Sequence, residues 1–130
     1  MTKAELLIRS ILGPRRGSIR PLVLAVEHAT DLLFNQQIDW EDLNVTKDLY
    51  PHVARQLKIN PAAACRGIER LSNHCWNALD SQQVLQYIGK PLRDISAPSD
   101  MICYLSYYLR YDKPYYRVLQ EELEQTFSSI

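Results

Sequence analysis

The stretch TKDLYPHVARQLKINPAAACRGIERLSNHCWNAL, residues 46–79, contains the start signals of two consecutive helices. Asn60 followed by Pro61 is a strong signal. An asparagine side chain accepts a backbone N–H that the helix leaves unpaired, and proline presets the first helical backbone angle. Thr46 is the predicted N-cap of the preceding helix. We therefore predict two helices joined by the short turn of a helix-turn-helix, at 46–57 and 61–79.

The second of these helices has two contrasting faces when it is unrolled at about 100° per residue. Its predicted core stripe is Ala64, Ile68, Leu71, Cys75 and Ala78. Its opposite face is small, polar and mixed in charge, and consists of Ala62, Arg66, Glu69, Arg70, Asn73 and Asn77. A helix in the major groove needs such a face, because Arg pairs bidentately with guanine, Asn pairs with adenine, and small residues let the backbone approach. An ordinary solvated surface has the same composition, so both interpretations stay open.

Helical spacing of apolar residues extends through the rest of the chain, and strand signals are weak. Capping-box patterns at Thr2 with Glu5 and at Asp80 with Gln83 predict a first and a fifth helix. The apolar stripe predicted for the first helix is Leu6, Leu7 and Ile11, and the predicted fifth helix runs through Val84, Leu85 and Ile88. The other predicted helices cover about 19–35, about 99–110 and the residues from Pro114 onward. An all-α fold is therefore predicted.

A chain of 130 residues is long enough for one domain with a core of its own and short for two. Its 15 basic and 15 acidic residues cancel, so any attraction to nucleic acid or anionic lipid must be local. The three cysteines lack CxxC spacing, and we expect free thiols. No apolar run approaches the ~20 residues of a membrane span, and no signal-peptide pattern begins the chain. We expect a cytoplasmic protein without membrane contact.

The segment TKDLYPHVARQL, residues 46–57, resembles a known family: the C-terminal DNA-binding effector domain of the master sporulation response regulator of endospore-forming bacteria. The family pattern is Thr-Lys-x-Leu-Tyr-Pro followed by a hydrophobic-Ala-basic step, and this chain matches it in register from Thr46 to Arg55. Further matching landmarks are Ile19-Arg20, Arg66, Ile68, Trp76, Ser99-Asp100 and Leu109-Arg110. The resemblance covers about residues 4–112.

The resemblance implies a six-helix effector domain over residues 1–113, in which helix 46–57 supports helix 61–79 and the latter enters the major groove of a promoter element. Residues 114–130 then form a helical extension beyond the family pattern. In the full-length regulators this domain follows a phosphorylatable receiver domain. The 130 residues have no room for a receiver, so its phosphoryl-controlled dimerisation and its metal ion are not carried over.

The resemblance also points to the residues that would bind double-stranded DNA. Where the family's recognition helix opens with Ser-Arg-x-Glu-Arg, this chain has Ala62, Ala63, Cys65 and Arg66, and Glu69 replaces a further arginine. We therefore expect a target that differs from the family's, or a loss of specific binding. Local basic groups and a helix N-terminus remain for phosphate contacts. The predicted DNA-binding residues are Arg15, Arg16, Arg20, Lys47, Lys58, Asn60, Ala62, Ala63, Arg66, Arg70 and Asn73.

The alternative prediction is a degenerate relative that keeps the scaffold and acts as a protein-interaction or dimerisation module without specific DNA binding. Beyond the family pattern, four apolar residues recur at intervals of three and four and form a seam with acidic flanks. The seam residues are Tyr116, Leu119, Leu123 and Phe127. The favoured interpretation is that the seam covers the core of this chain. The other interpretation is that the seam pairs with a second copy or with a related regulator.

The sequence predicts no catalytic, metal or cofactor site. His74 and Cys75 point about 100° apart on one helix, so they make a poor pair of metal ligands. No third orienting group accompanies a Cys/His nucleophile pair. The clustered tyrosines are more typical of core and edge packing than of a stacking platform for single-stranded nucleic acid. These tyrosines are Tyr104, Tyr107, Tyr108, Tyr111, Tyr115 and Tyr116.

Overall fold

The computed structural model describes residues 1–15 and 17–128, which form seven α-helices and no strand. The prediction of an all-α fold is confirmed. The helices are α1 Lys3–Leu12, α2 Arg20–Thr30, α3 Tyr50–Leu57, α4 Pro61–Ala78, α5 Ser81–Tyr87, α6 Pro98–Tyr111 and α7 Tyr115–Ser128. None of the helices in this part of the chain is both long and apolar enough to cross a bilayer.

Side-chain caps fix several of the helix starts. The Thr2 hydroxyl accepts the backbone N–H of Glu5 at 3.2 Å at the start of α1. Asp80 and Gln83 form both bonds of a capping box at the start of α5, at 2.8 Å and 3.1 Å. Each cap pairs a backbone donor that the first helical turn cannot satisfy internally. The starts predicted from these patterns are therefore confirmed.

The start of α3 differs from the prediction, because Asn44 and not Thr46 caps the segment. The Asn44 side chain accepts the Lys47 backbone N–H at 3.1 Å, and residues Val45–Leu49 form a wide π-helical turn before the α-helix begins at Tyr50. Pro51 lacks a backbone N–H, so the first α-helical bond at that position is missing and the wider turn costs little. The prediction of an α-helix from Thr46 was wrong by one turn.

The end of α2 also differs from the predicted helix 19–35. The α-helix ends at Thr30, and Asp31–Asn35 continue as a π-helical turn. The carboxylate of Asp31 accepts side-chain bonds from Asn35 at 2.8 Å and from Gln36 at 3.0 Å. These bonds, together with the backbone bond from Gln36 N–H to the Asp31 carbonyl at 3.0 Å, hold the wider register.

Helix α4 runs through the centre of the fold and packs against α1, α2, α3 and α6. Four residues of its predicted core stripe are buried: Ala64, Ile68, Leu71 and Cys75. Ala78, the fifth, is exposed, because α4 ends there and Leu79 leaves the helix with an extended ψ of 125° and packs on the core instead. The prediction for Ala78 was therefore wrong.

Leu6, a residue of the predicted stripe of α1, is exposed, and so is Leu85 on α5. The buried face of α1 is instead Ala4, Leu7, Ile8 and Ile11, and that of α5 contains Val84 and Tyr87, with Ile88 buried just after it. In both helices the apolar residues outnumber the positions on one face. The neighbours that α1 and α5 meet in the fold therefore decide which apolar residues are covered.

An aromatic cluster joins α6 to the loop before α3 and to the start of α7. The Trp40 ring lies 5.1 Å from Tyr104 and 4.9 Å from Tyr115, edge on in both cases. Tyr107 contacts Tyr115 at 4.8 Å. Edge-to-face pairs at these distances stabilise the contact beyond the area they bury. The tyrosines of α6 and α7 therefore serve packing here.

Candidate nucleic-acid interface

The exposed face of α4 carries the residue types that the sequence predicted for it. Most of its predicted members are exposed: Ala62, Arg66, Arg70, Asn73 and Asn77. Ala63 is half-buried and lies at the edge of this face. The face combines two arginines with two asparagines over three helical turns. Arginine and asparagine are the side-chain types that read guanine and adenine edges in the major groove in DNA-binding proteins.

The neighbours of α4 define the two borders of this face. On one side, a Cβ placed on Gly67 would lie 3.5 Å from Pro21 Cγ, so the start of α2 touches α4 there. Arg20 directly precedes Pro21 and is exposed at this border. On the other side, Tyr50 of α3 reaches Glu69. The polar face therefore lies open between the start of α2 and the start of α3.

Glu69 is turned toward α3 and is half-buried. Its carboxylate accepts a bond from the Tyr50 hydroxyl at 3.4 Å and one from the Cys65 thiol at 3.2 Å. Burial, and then the charge of Glu69, raise the pKa of Tyr50; burial and the bond to Glu69 raise the pKa of Cys65. The prediction that Glu69 belongs to the open polar face was therefore wrong: its carboxylate joins α4 to α3.

The leading end of α4 offers a smaller anion site than the sequence predicted. The Asn60 side chain accepts the Ala63 N–H at 2.8 Å, and the Asn60 carbonyl accepts the Ala64 N–H at 3.1 Å. Pro61 has no N–H at all. The backbone N–H of Ala62 is the donor left open in the first turn. Asn60 thus acts as a helix cap, which occupies the side-chain oxygen that could otherwise meet DNA.

Five of the basic side chains predicted to bind DNA have no acidic partner within ion-pair distance among the described residues. In the part of the chain that the structure describes, the ion pairs join Lys3 to Asp112, and Lys113 and Arg117 to Glu121, and none of them involves a residue of α2, α3 or α4. The side chains that form no ion pair are Arg20, Lys47, Lys58, Arg66 and Arg70. Their charges are therefore available to phosphate groups.

Arg15 is half-buried and acts on the C-terminal half of α4. Its charge acts on the Cys75 thiol, in the C-terminal half of α4. Burial raises the pKa of Cys75 to about 12, and the nearby Arg15 opposes that rise. Cys75 lies thirteen positions after Ala62, about 20 Å along the helix axis. Arg15 is therefore far from the leading end of α4, and Arg16 lies outside the described residues.

Lys58 occupies the turn between α3 and α4 in a left-handed backbone conformation, with φ 57° and ψ 44°. The following Ile59 N–H bonds back to the Ala54 carbonyl at 3.0 Å, which closes the end of α3. Glycine is the usual residue at such a helix end, because it has no Cβ to clash. The chain instead keeps a long cationic side chain beside the leading end of α4.

The acidic connector before α3 lies away from the leading end of α4. Trp40 anchors it in the aromatic cluster. The pKa of Tyr115 is raised mainly by burial, then by the neighbouring Tyr116, and then by the charge of Glu41. Trp76, near the end of α4, packs on the same cluster. Arg66 lies ten residues earlier, about 15 Å along the axis. Trp40 and Glu41 of the connector therefore lie toward the far end of α4 from Arg66, and the nearest acidic side chain of α4 itself is Glu69.

Two features of the structure had no signal in the sequence. His28 of α2 and His52 of α3 stack with ring centroids 3.6 Å apart and planes 4° apart. Burial, and then the facing His52, lower the pKa of His28. The two histidines are distant in sequence and share no motif. The second feature is that the apolar seam on α7 is mostly exposed to solvent.

The seam on α7 is mostly uncovered. Tyr116 is half-buried, while Leu119, Leu123 and Phe127 are exposed. Val118, which was not predicted, is the residue of α7 that is buried. The favoured interpretation, that the seam caps the core, was therefore wrong for the last three residues.

The described residues contain no group of three or more His, Cys, Asp and Glu side chains placed to hold a metal ion. The three cysteines in this part of the chain are free thiols, and burial raises the pKa of Cys103 to about 12. No family model, curated protein or solved structure matches the chain.

Proposed function

We propose that this protein binds double-stranded DNA by laying α4 in the major groove. The observation that supports this most directly is the open face of Arg66, Arg70 and Asn73, which carries base-reading side chains free of ion pairs. Arg20 at the start of α2 and Lys58 in the turn flank this face and would contact phosphates on either side. Phosphate contacts set affinity and position, and base contacts set sequence preference.

The length of each side chain on α4 determines which residues would contact DNA bases. Ala62 and Ala63 end in methyl groups, so the first turn would approach the groove closely and make apolar contacts, such as with a thymine methyl. Arg66, Arg70 and Asn73 would then read bases one to three turns further along. The target should therefore differ from that of the sporulation regulators, whose pattern places polar residues in the first turn.

The regulatory context is proposed from the resemblance of residues 46–57 to the sporulation effector domain. On that basis the protein acts in the cytoplasm as a transcription regulator. Helix α3 supports α4 through Tyr50 and Glu69, which fixes the axial rotation of the reading helix. The arrangement of a supporting and a reading helix is the one that the helix-turn-helix uses.

The experiment is a titration of labelled duplexes with the full chain, followed by selection from a randomised duplex pool. Affinity should fall as salt rises, and Arg66→Ala or Arg70→Ala should each weaken selected-site binding by about 5- to 150-fold, the equivalent of ~1–3 kcal/mol. Arg110→Ala is the matched control, because Arg110 is exposed beside Phe34 at the opposite end of α2 from Arg20. Duplex binding that is absent at low salt would overturn the proposal.

The second candidate function is an interaction module without specific DNA binding. The exposed seam on α7 and the two alanines at the leading end of α4 favour it. It would give weak binding to any duplex with no selected sequence, and seam variants would alter self-association or partner capture. A sequence selected from the pool, and lost in Arg66→Ala, would exclude this candidate.

A further inference from the structure

In the described part of the chain, the buried side chain and the backbone bond that hold α7 to the rest of the fold lie in its first two turns. The Tyr116 N–H donates to the Ile88 carbonyl at 3.2 Å, and Val118 is 6% exposed. Tyr115 packs in the aromatic cluster. From residue 122 to residue 128 every side chain is exposed. The second half of α7 therefore projects from the body as a single helix.

The exposed part of α7 carries a continuous apolar seam. Leu119 is 38% exposed, Leu123 49% and Phe127 68%, so exposure rises toward the helix end. At about 100° per residue these side chains fall within one arc of about 80°, and Val118 points to the opposite side. The inward face and the seam are therefore separate faces of the same helix.

A projecting helix of this kind is marginal without a partner. Short helices in water gain too little from their internal bonds, and most helical stability in proteins comes from packing of an apolar face. The Gln120 side chain donates a hydrogen bond to the Glu124 carboxylate at 3.2 Å, but both side chains are exposed and the bond adds little to the stability of the helix. A second apolar helix against Leu123 and Phe127 would supply the missing packing.

Charge along α7 indicates which helix fits. Lys113 and Arg117 lie at its start, where both pair with Glu121 of the same chain, and Glu122 and Glu124 lie in its second half, which holds no basic residue. A second α7 running in the opposite direction would bring the basic start of each copy to the acidic half of the other. A parallel copy would set acids against acids.

We propose that α7 pairs with α7 of a second copy of this chain in an antiparallel, two-fold symmetric contact. A two-fold contact requires the same patch on both copies, and the seam can meet itself. With Leu119 of one copy opposite Leu123 of the other, Arg117 comes within one residue of Glu124 of the second copy. Seam contact and charge pairing thus agree in one register.

The contact is small, which sets its strength. A 14-residue helix is about 21 Å long, and one face of it covers less than the ~800 Å² per partner of a standard interface. The dimer should therefore form at about micromolar or higher concentrations. If α4 binds DNA as proposed above, the dimer presents two reading helices, as two-fold operators require; the pairing itself does not depend on DNA.

The test is sedimentation velocity of the full chain without DNA, from about micromolar to about millimolar concentration. The wild-type mass should rise from monomer to dimer. Leu123→Lys and Phe127→Lys should each weaken dimerisation by at least about tenfold. Leu6→Lys is the matched control, because Leu6 is a 53% exposed leucine on α1 and should leave dimerisation unchanged. Circular dichroism checks that each variant remains folded.

Charge exchange tests the orientation. Arg117→Glu alone and Glu124→Arg alone should each weaken the dimer, and the two together should restore it, because the exchanged charges meet again only in the antiparallel contact. A mass that stays monomeric at every concentration, an equal loss in Leu6→Lys, or a double variant that fails to recover would overturn the proposal. These outcomes are separate from DNA affinity, which the Arg66→Ala titration reports.

Discussion

Replacing Lys58 with glycine is expected to stabilise the fold and to weaken DNA binding at the same time. The left-handed conformation of Lys58, φ 57° and ψ 44°, brings its Cβ close to a carbonyl oxygen. This costs an L residue about 1–2 kcal/mol. Glycine removes that cost but loses about 0.5–1 kcal/mol through its greater freedom in the unfolded chain. The net gain is up to ~1.5 kcal/mol with a midpoint of ~0.75 kcal/mol, which corresponds to ~2–4 °C in Tm for a chain of this size.

The binding effect has the opposite sign because the same substitution removes a cation from the turn beside α4. One lost phosphate contact lowers the slope of log affinity against log salt by about 0.9. Lys58→Ala separates the two effects, since alanine keeps the left-handed cost and loses the charge. It should bind as weakly as Lys58→Gly without the gain in Tm.

The assay combines thermal unfolding by circular dichroism with duplex titrations by fluorescence anisotropy at several salt concentrations. Lys90→Ala is the charge control, because the Lys90 ammonium lies 5.3 Å from the Tyr116 ring centroid, on the side of α7. A lower Tm in Lys58→Gly would refute the backbone argument. An unchanged salt slope in both Lys58 variants would refute the phosphate contact.

Three further changes test the packing around the interface. Asn60→Ala should lower the free energy of unfolding by ~1 kcal/mol in a urea titration, because the cap on the Ala63 N–H is lost. Asn60→Asp should retain most of that stability, since aspartate also caps helices. Equal losses in the two variants would contradict the capping role. Gly67→Ala should raise the free energy of unfolding by ~0.5–1 kcal/mol, since the added Cβ meets Pro21 at ordinary contact distance. Gly67→Leu should lower the free energy of unfolding, because the larger side chain would collide with Pro21. Because burial and His52 lower the pKa of His28 from 6.5, the unfolded chain binds a proton first, so the urea midpoint should fall as pH drops below about 6.5. His28→Gln should flatten that dependence, and an unchanged pH profile would contradict it.

The sequence predicted the starts of α4 and α5 correctly because their signals are local. Asn60-Pro61 and the Asp80-Gln83 pair act within one turn of chain, and the caps they form are the ones observed. The core stripe of α4 followed from periodicity alone, except at Ala78. Thr46 failed as a cap because Pro51 and Asn44 together favoured a wider turn, a competition that no single motif records.

The candidate interface was predicted in composition but not in geometry. Arg66, Arg70 and Asn73 were correctly placed on one exposed face by helical spacing. The inward turn of Glu69 depends on Tyr50 of another helix, and the distance of Arg15 from the leading end depends on how its loop packs. Periodicity cannot supply either position, because both are set by neighbours remote in sequence.

By itself, the sequence determined the all-α fold, the capped start of α4 and the contrast between its two faces, since each arises from interactions within a few residues. Only the tertiary structure decided which apolar residues are covered. Leu119, Leu123 and Phe127 have the spacing of a core stripe, yet Val118 on the opposite face is the residue that packs inward. A helical pattern specifies that a face is apolar, and the remaining chain determines whether anything lies against it.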